Sequence, residues 1–138
     1  RSGADVAKAL ALGADAVSIG VAAMVALGCN KDVFPEDYAR LGTRAGYCHH
    51  CHTGCCPPGI TTQNPELQAR LPAEVGARLV RNYLTVMTLE LQTLARACGK
   101  SYVLNLEPED LVALTVEAAA MAQVPLAGTN WIPGRASY

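Results

Sequence analysis

A chain of 138 residues with 51% hydrophobic residues, 17% charged residues and a net charge of −1 holds one domain's worth of core and no basic excess for nucleic acid or an anionic membrane surface. Its longest apolar run, residues 14–29, is too short and too broken by glycine for a membrane span. The chain opens on Arg1 with neither a methionine nor a signal peptide. That start predicts a fragment of a longer cytoplasmic protein, whose cysteines serve as metal ligands, catalytic groups or core residues rather than in disulfides.

In "SGADVAKALALGADAVSIG", Val6, Ala7, Leu10 and Ala11 recur at helical spacing and Gly13 stands where a cap belongs. The run "AVSI", residues 16–19, predicts a short strand whose apolar content suits burial on both faces. Gly20 opens a second helical run over 21–27, ended by Gly28. A strand, a glycine and a helix N-terminus in succession make an anion site from unpaired amides and the helix dipole. A lone strand cannot form a sheet, so its partners are expected outside this chain.

Residues 30–47 are polar, with a short helix expected between Pro35 and Gly42. Pro57, Pro58 and Gly59 exclude regular structure from the following stretch. The longest helical pattern covers 72–98, with one apolar stripe from Val80, Tyr83, Leu84, Met87, Leu91, Leu94, Ala95 and Cys98, and Gly99 as its stop. Residues 107–123 predict a further, buried helix with Pro108 in its first turn, and the Pro- and Gly-rich tail 124–138 predicts an extended segment.

"GYCHHCHTGCCPPGITTQ", residues 46–63, gathers four of the six cysteines and all three histidines. Zinc asks for four tetrahedral ligands, and here a second knuckle is missing unless Cys29 or a histidine completes the set. An iron–sulfur cluster asks for thiolates on a loop shaped by proline and glycine, which Cys51-x4-Cys56 before "PPGI" suits, with Cys48 or Cys29 as a further ligand. Inert or redox-active thiols are the third reading. Cys98 reads as a core residue, Cys55 as a bystander diverging from Cys56, and His49, His50 and His52 as solvated side chains.

Three stretches, "RSGADVAKALALGADAVSIGVAAMVALGC", "CHTGCCPPGITTQNPELQARL" and "LARACGKSYVLNLEPEDLVALTVEAAAMAQVPLAG", together resemble the FMN-binding domain of glutamate synthase. The resemblance implies the C-terminal part of a (β/α)8 barrel, its last helix–strand unit, followed by an iron–sulfur loop and a mainly helical extension. The implied organisation is 1–29 for the end of the barrel with its phosphate loop, 30–47 for an insertion, 48–66 for the cluster loop and 67–138 for the extension. Ser2 and Gly3, with Gly20 and Val21, match the loops that hold the FMN phosphate in such barrels. Cys29, Cys51 and Cys56 match the three ligands of a three-iron cluster. Twenty-one residues separate Cys29 from Cys51 where the family has five, so Cys48 stands as a substitute or as the fourth ligand of a four-iron cluster.

The implied activity is that of an oxidoreductase in which FMN and the cluster reduce the imine of 2-oxoglutarate to glutamate, the 138 residues alone being inactive. The implied partners are the remainder of the barrel and glutamine-amidotransferase or electron-donor domains or subunits, with no nucleic acid and no membrane. The inserted segment also looks like one in relatives of N-methylglutamate synthase, which gives a second reading, amino or methylamino transfer on the same fold. A non-catalytic zinc-binding module is the third.

Overall fold

The computed structural model describes residues 2–135, so Arg1 and the end of the tail, 136–138, lie outside the described residues. Six α-helices follow in order: α1 (Gly3–Ala11), α2 (Val21–Ala26), α3 (Pro35–Arg40), α4 (Pro65–Gln68), α5 (Ala73–Ala97) and α6 (Val116–Ala122). Single 3-10 turns at Val103–Asn105 and Pro108–Asp110 lie between α5 and α6. Among the described residues the only β-type pairing is one isolated parallel bridge, Ala113 to Leu126.

This overturns the expected barrel. Residues 16–19 are irregular, because a single extended run with no neighbouring strand has nothing to ladder its amides and carbonyls against. With no strand for further strands to join, the expected partners fall as well: the remainder of the barrel, the amidotransferase or electron-donor domains, and 2-oxoglutarate as the substrate of the completed site. No helix among the described residues is long and apolar enough to cross a membrane.

The helix boundaries follow local chemistry. α1 starts at Ser2, whose hydroxyl and backbone amide both reach the Asp5 carboxylate, and stops at Gly13, whose N–H donates to the Leu10 carbonyl. α3 has Pro35 in its first turn, acidic Glu36 and Asp37 behind it and Arg40 at its end, the arrangement the helix dipole favours. The expected helix over 107–123 splits in two. Glu107 and Asp110 cap a separate turn, Ala113 exchanges backbone bonds with Pro125 and Ala127, and α6 begins only after Thr115, whose hydroxyl accepts from Ala118 N–H. Nor is α6 buried all round: Ala119 is fully buried, whereas Met121 is 87% exposed.

Two compact units divide the chain. The first comprises Arg1–Ser18 and Val86–Tyr138, and its core is Ala7, Leu10 and Ala11 of α1 against Leu91 and Ala95 of α5 and Leu106. Cys98 does not join that core. It is exposed, one turn beyond the last buried position of the stripe. Gly3 is what lets α1 approach α5 so closely: a Cβ there would stand 2.5 Å from the Met87 carbonyl oxygen and 2.7 Å from the Leu91 nitrogen. The second unit, Ile19–Thr85, carries α2, α3, α4 and five of the six cysteines.

Because the neighbours of Gly3 are backbone atoms that cannot swing aside, Gly3→Ala is expected to destabilise the first unit by about 2 kcal/mol. Urea unfolding measures this, and an unchanged midpoint would remove the close approach from the account.

Candidate thiol site

The second unit brings Cys29, Cys48, Cys51 and Cys56 into one electrostatic neighbourhood. Cys29 closes the turn after α2, where its N–H donates to the Met24 carbonyl. The next residue, Asn30, adopts the left-handed backbone at φ 62, which asparagine tolerates better than other side chains. Its amide spans the gap to the cysteine-rich loop: Oδ1 accepts from Cys48 N–H at 2.8 Å, and Nδ2 lies 3.5 Å from the Cys48 carbonyl and 3.6 Å from Cys29 Sγ. Asn30 therefore holds Cys29 and Cys48 side by side. Sequence reading missed it, although an asparagine directly after a glycine–cysteine turn was a visible signal.

Cys56 is fixed differently. It is 8% exposed and begins a tight turn in which Gly59 N–H donates back to the Cys56 carbonyl. Gly59 has φ 82, and a Cβ on it would fall 2.1 Å from the Leu67 carbonyl of α4, so the turn can lie against α4 only with glycine there. Thr62 locks the loop by donating its hydroxyl to the Gly54 carbonyl. Arg70 ties the loop to α3. Its guanidinium donates to the Pro57 carbonyl at 2.8 Å, pairs with Asp37 at 2.7 Å and stacks over Phe34 at 4.5 Å.

Cys51 is exposed, and Cys29 and Cys48 are half-buried. Burial pushes the Cys29 thiol up, and the neighbouring Cys51, Cys56 and Cys48, in that order, raise it further against a smaller opposing effect of the Asn30 amide. Tyr38 of α3, which sequence reading also missed, is fully buried, and its hydroxyl has no hydrogen-bond partner. Burial first, then Cys48, Cys29, Cys56 and Asp32, pushes that phenol up to about 12.

The thiols are neighbours without being a coordination shell. Among the described residues no group of three or more His, Cys, Asp or Glu side chains is arranged to hold a metal ion. The donor set does not fit an iron–sulfur cluster of three or four irons, nor the tetrahedral zinc of the alternative module. The histidines do not complete one either. His49 and His50 stack at 4.7 Å between ring centroids, with His52 6.4 Å further along.

The FMN expectation meets a similar correction. Gly3 N–H donates to the Glu90 carboxylate at 2.7 Å, so the start of α1 already faces an anion. Ser2 and Gly3 belong to one unit and Gly20 and Val21 to the other, and no barrel among the described residues frames them. The imine-reducing oxidoreductase mechanism, and its methylamino-transfer variant on the same fold, therefore lose the barrel and the metal centre they were tied to. Cys55 is exposed, and its backbone N–H donates to the Thr53 hydroxyl, apart from the other four.

Two substitutions probe this framework. Arg70→Ala is expected to cost about 2 kcal/mol, and Arg70→Lys not to restore it, because a point charge cannot serve the carbonyl, the carboxylate and the ring together; denaturant titration reads both. Asn30→Gly keeps the left-handed backbone but removes the side-chain bridge. Cys29 and Cys48 should then alkylate several-fold faster, as expected when a local hydrogen-bonded tie is lost, with Cys98 unchanged in the same mass-spectrometric time course.

A family profile described as the conserved region in glutamate synthase matches residues 1–101. A glutamate synthase large subunit-like protein of Rhizobium meliloti (strain 1021) is 64% identical over all 138 residues, which span 31% of that relative. The archaeal glutamate synthase [NADPH] of Methanocaldococcus jannaschii is 50% identical over 99 residues, 72% of this chain and 16% of the relative. The large subunit-like protein YerD of Bacillus subtilis (strain 168) is 33% identical over 107 residues, 78% of this chain and 17% of the relative. The chain thus spans less than a third of each of these relatives. No solved structure matches it. On the profile match and these identities, the chain belongs to the glutamate synthase family.

Proposed function

We propose that this chain is the C-terminal segment of a longer glutamate-synthase-like protein and that its own contribution is a thiol–disulfide redox site. The short span of the relatives that it covers supports its being a segment of a longer protein. The site comprises Cys29, Cys48, Cys51 and Cys56, and residues 48–66 form the loop that presents three of them. The observation that carries the redox reading is that all six thiols are free; Cys48, Cys51 and Cys56 act on Cys29, and the four do not converge as metal donors.

The chemistry needs only thiols and an organic disulfide as oxidant. The exposed Cys51, as thiolate, attacks one sulfur of the disulfide, forming a mixed disulfide and releasing one organic thiolate. Cys29, on which Cys51 acts more than Cys56 or Cys48 does, then attacks the Cys51 sulfur. An S–S bond forms between the two cysteines, the mixed disulfide breaks and a second organic thiolate leaves. Two thiols have lost two protons and two electrons, and the organic disulfide has gained the electrons. The rate of such exchange follows thiolate fraction, nucleophilicity and access, and exposure makes Cys51 the entry point.

Incubation of the full-length protein with oxidised glutathione, followed by alkylation and peptide mass spectrometry, tests this. Two of the four thiols should be lost as an internal disulfide containing Cys51. Cys51→Ser should prevent it, and Cys98→Ser should not. Equal alkylation of all four with no disulfide would overturn the proposal. So would four thiols protected by a metal ion that only acid releases.

A further inference from the structure

The C-terminal end of α5 borders a cavity of about 300 Å³ in which the thiol site has no part. Ala95, 2% exposed, is in its wall, and Gln92, Arg96, Lys100, Ser101 and Tyr102 are its polar lining. All of them belong to the first unit. No carboxylate is among the lining residues. Each polar side chain there can donate a hydrogen bond, and two of them carry a positive charge.

A cation in the last turn of a helix ordinarily serves the helix's own carbonyls. Here backbone amides have taken that role: Cys98, Gly99 and Lys100 N–H donate to the Leu94, Arg96 and Ala95 carbonyls. Among the described residues the Arg96 guanidinium makes one hydrogen bond, to the Thr93 hydroxyl at 3.3 Å, and a guanidinium has five N–H groups to give. Lys100 is held by Glu107 and by Asp110, the latter at 3.4 Å, so its charge is balanced within the fold. Arg96 is the lining cation left open.

We propose that this cavity binds a small aromatic oxyanion, a phosphate or carboxylate group carried on a single ring. The planar guanidinium of Arg96 offers such a group two parallel N–H bonds. The Tyr102 ring, 59% exposed, and Val103 beside it give the ligand's ring an apolar shelf. The volume of about 300 Å³ lies at the lower end of the range for ligand cavities, which suits a body of one ring. The site is independent of the thiol–disulfide reading.

Calorimetric titration of the full-length protein with phenyl phosphate, benzoate, inorganic phosphate and benzylamine tests this. Phenyl phosphate and benzoate should bind in the millimolar range, inorganic phosphate more weakly, and the cationic benzylamine not at all. Tighter binding of phenyl phosphate than of benzoate marks the ligand as a phosphate ester, and the reverse marks it as a carboxylate. Arg96→Gln should weaken phenyl phosphate about tenfold, the loss of a charge-assisted bond, with an unchanged melting temperature because the side chain is exposed. Tyr102→Leu should weaken phenyl phosphate about threefold, the loss of ring contact, and leave inorganic phosphate as it was. Arg81→Gln, at an exposed α5 arginine outside the cavity lining, should change nothing, and neither should Cys51→Ser. Absence of saturable phenyl phosphate binding would overturn the inference. So would wild-type affinity in Arg96→Gln, or equal weakening in Arg81→Gln.

Discussion

The guanidinium of Arg70 is the contact on which the thiol-bearing unit depends. Three otherwise separate pieces meet on it: the carbonyl of Pro57 beside Cys56, the Asp37 carboxylate of α3 and the face of Phe34. The group and its carboxylate partner are each about one-quarter exposed, so the pair is neither a fully solvated surface bridge of small value nor a buried pair with a heavy desolvation cost. A carbonyl, a carboxylate and a ring need a planar, multiply donating cation. With that contact in place, α3 and its Tyr38 are fixed relative to the double-proline turn.

Asn30 completes the arrangement from the other side. Arg70 sets where Cys56 and α3 lie, whereas Asn30 sets where Cys29 and Cys48 lie, through one short bond to the Cys48 amide and weaker ones from its own amide. Cys29, Cys48 and Cys56 are therefore placed by two polar ties on irregular backbone rather than by a regular element. Such a framework brings thiols near one another without imposing the common centre that a metal requires. Electrostatically the result shows at Cys29, whose thiol is pushed up first by burial and then by the neighbouring sulfurs. One exposed thiol beside less accessible neighbours is the division of labour that an attacking and a resolving cysteine need.

How much of this the sequence discloses depends on whether the signal is local. The ends of α1, α2, α3 and α5 follow proline, glycine and the apolar period, and all four lie within a residue or three of their expected bounds. The short α4 was missed although Asn64 before Pro65 is a cap, its Oδ1 accepting from Glu66 and Leu67 N–H. The break between Asp110 and Val116 was missed for a different reason. The bridge of Ala113 to Leu126 is a tertiary event, and no periodicity within 107–123 records it. Of the site, the cysteines themselves were legible from spacing. Asn30 was not, since it acts through a contact with a loop eighteen residues away. The barrel was an inference from likeness to a family, and 16–19 lacks the neighbours that would make it a strand.

The start of α1 shows why a glycine before a helix is a weak guide to ligands. A helix N-terminus presents amides that require acceptors, and the requirement is met by whatever acceptor folding brings closest. Here the chain supplies its own: Asp5 turns back onto the Ser2 amide, and Glu90, eighty-seven positions along, accepts from the Gly3 amide at 2.7 Å. Gly3 is small because α5 passes against it, with backbone atoms of Met87 and Leu91 where a side chain would be. The residue that looks like a phosphate contact from sequence is accounted for by helix packing. Any external anion would have to displace a carboxylate held by the helix dipole in the same covalent chain, where its effective concentration is high. Tyr38 is the reverse case: a buried donor for which folding brings no acceptor.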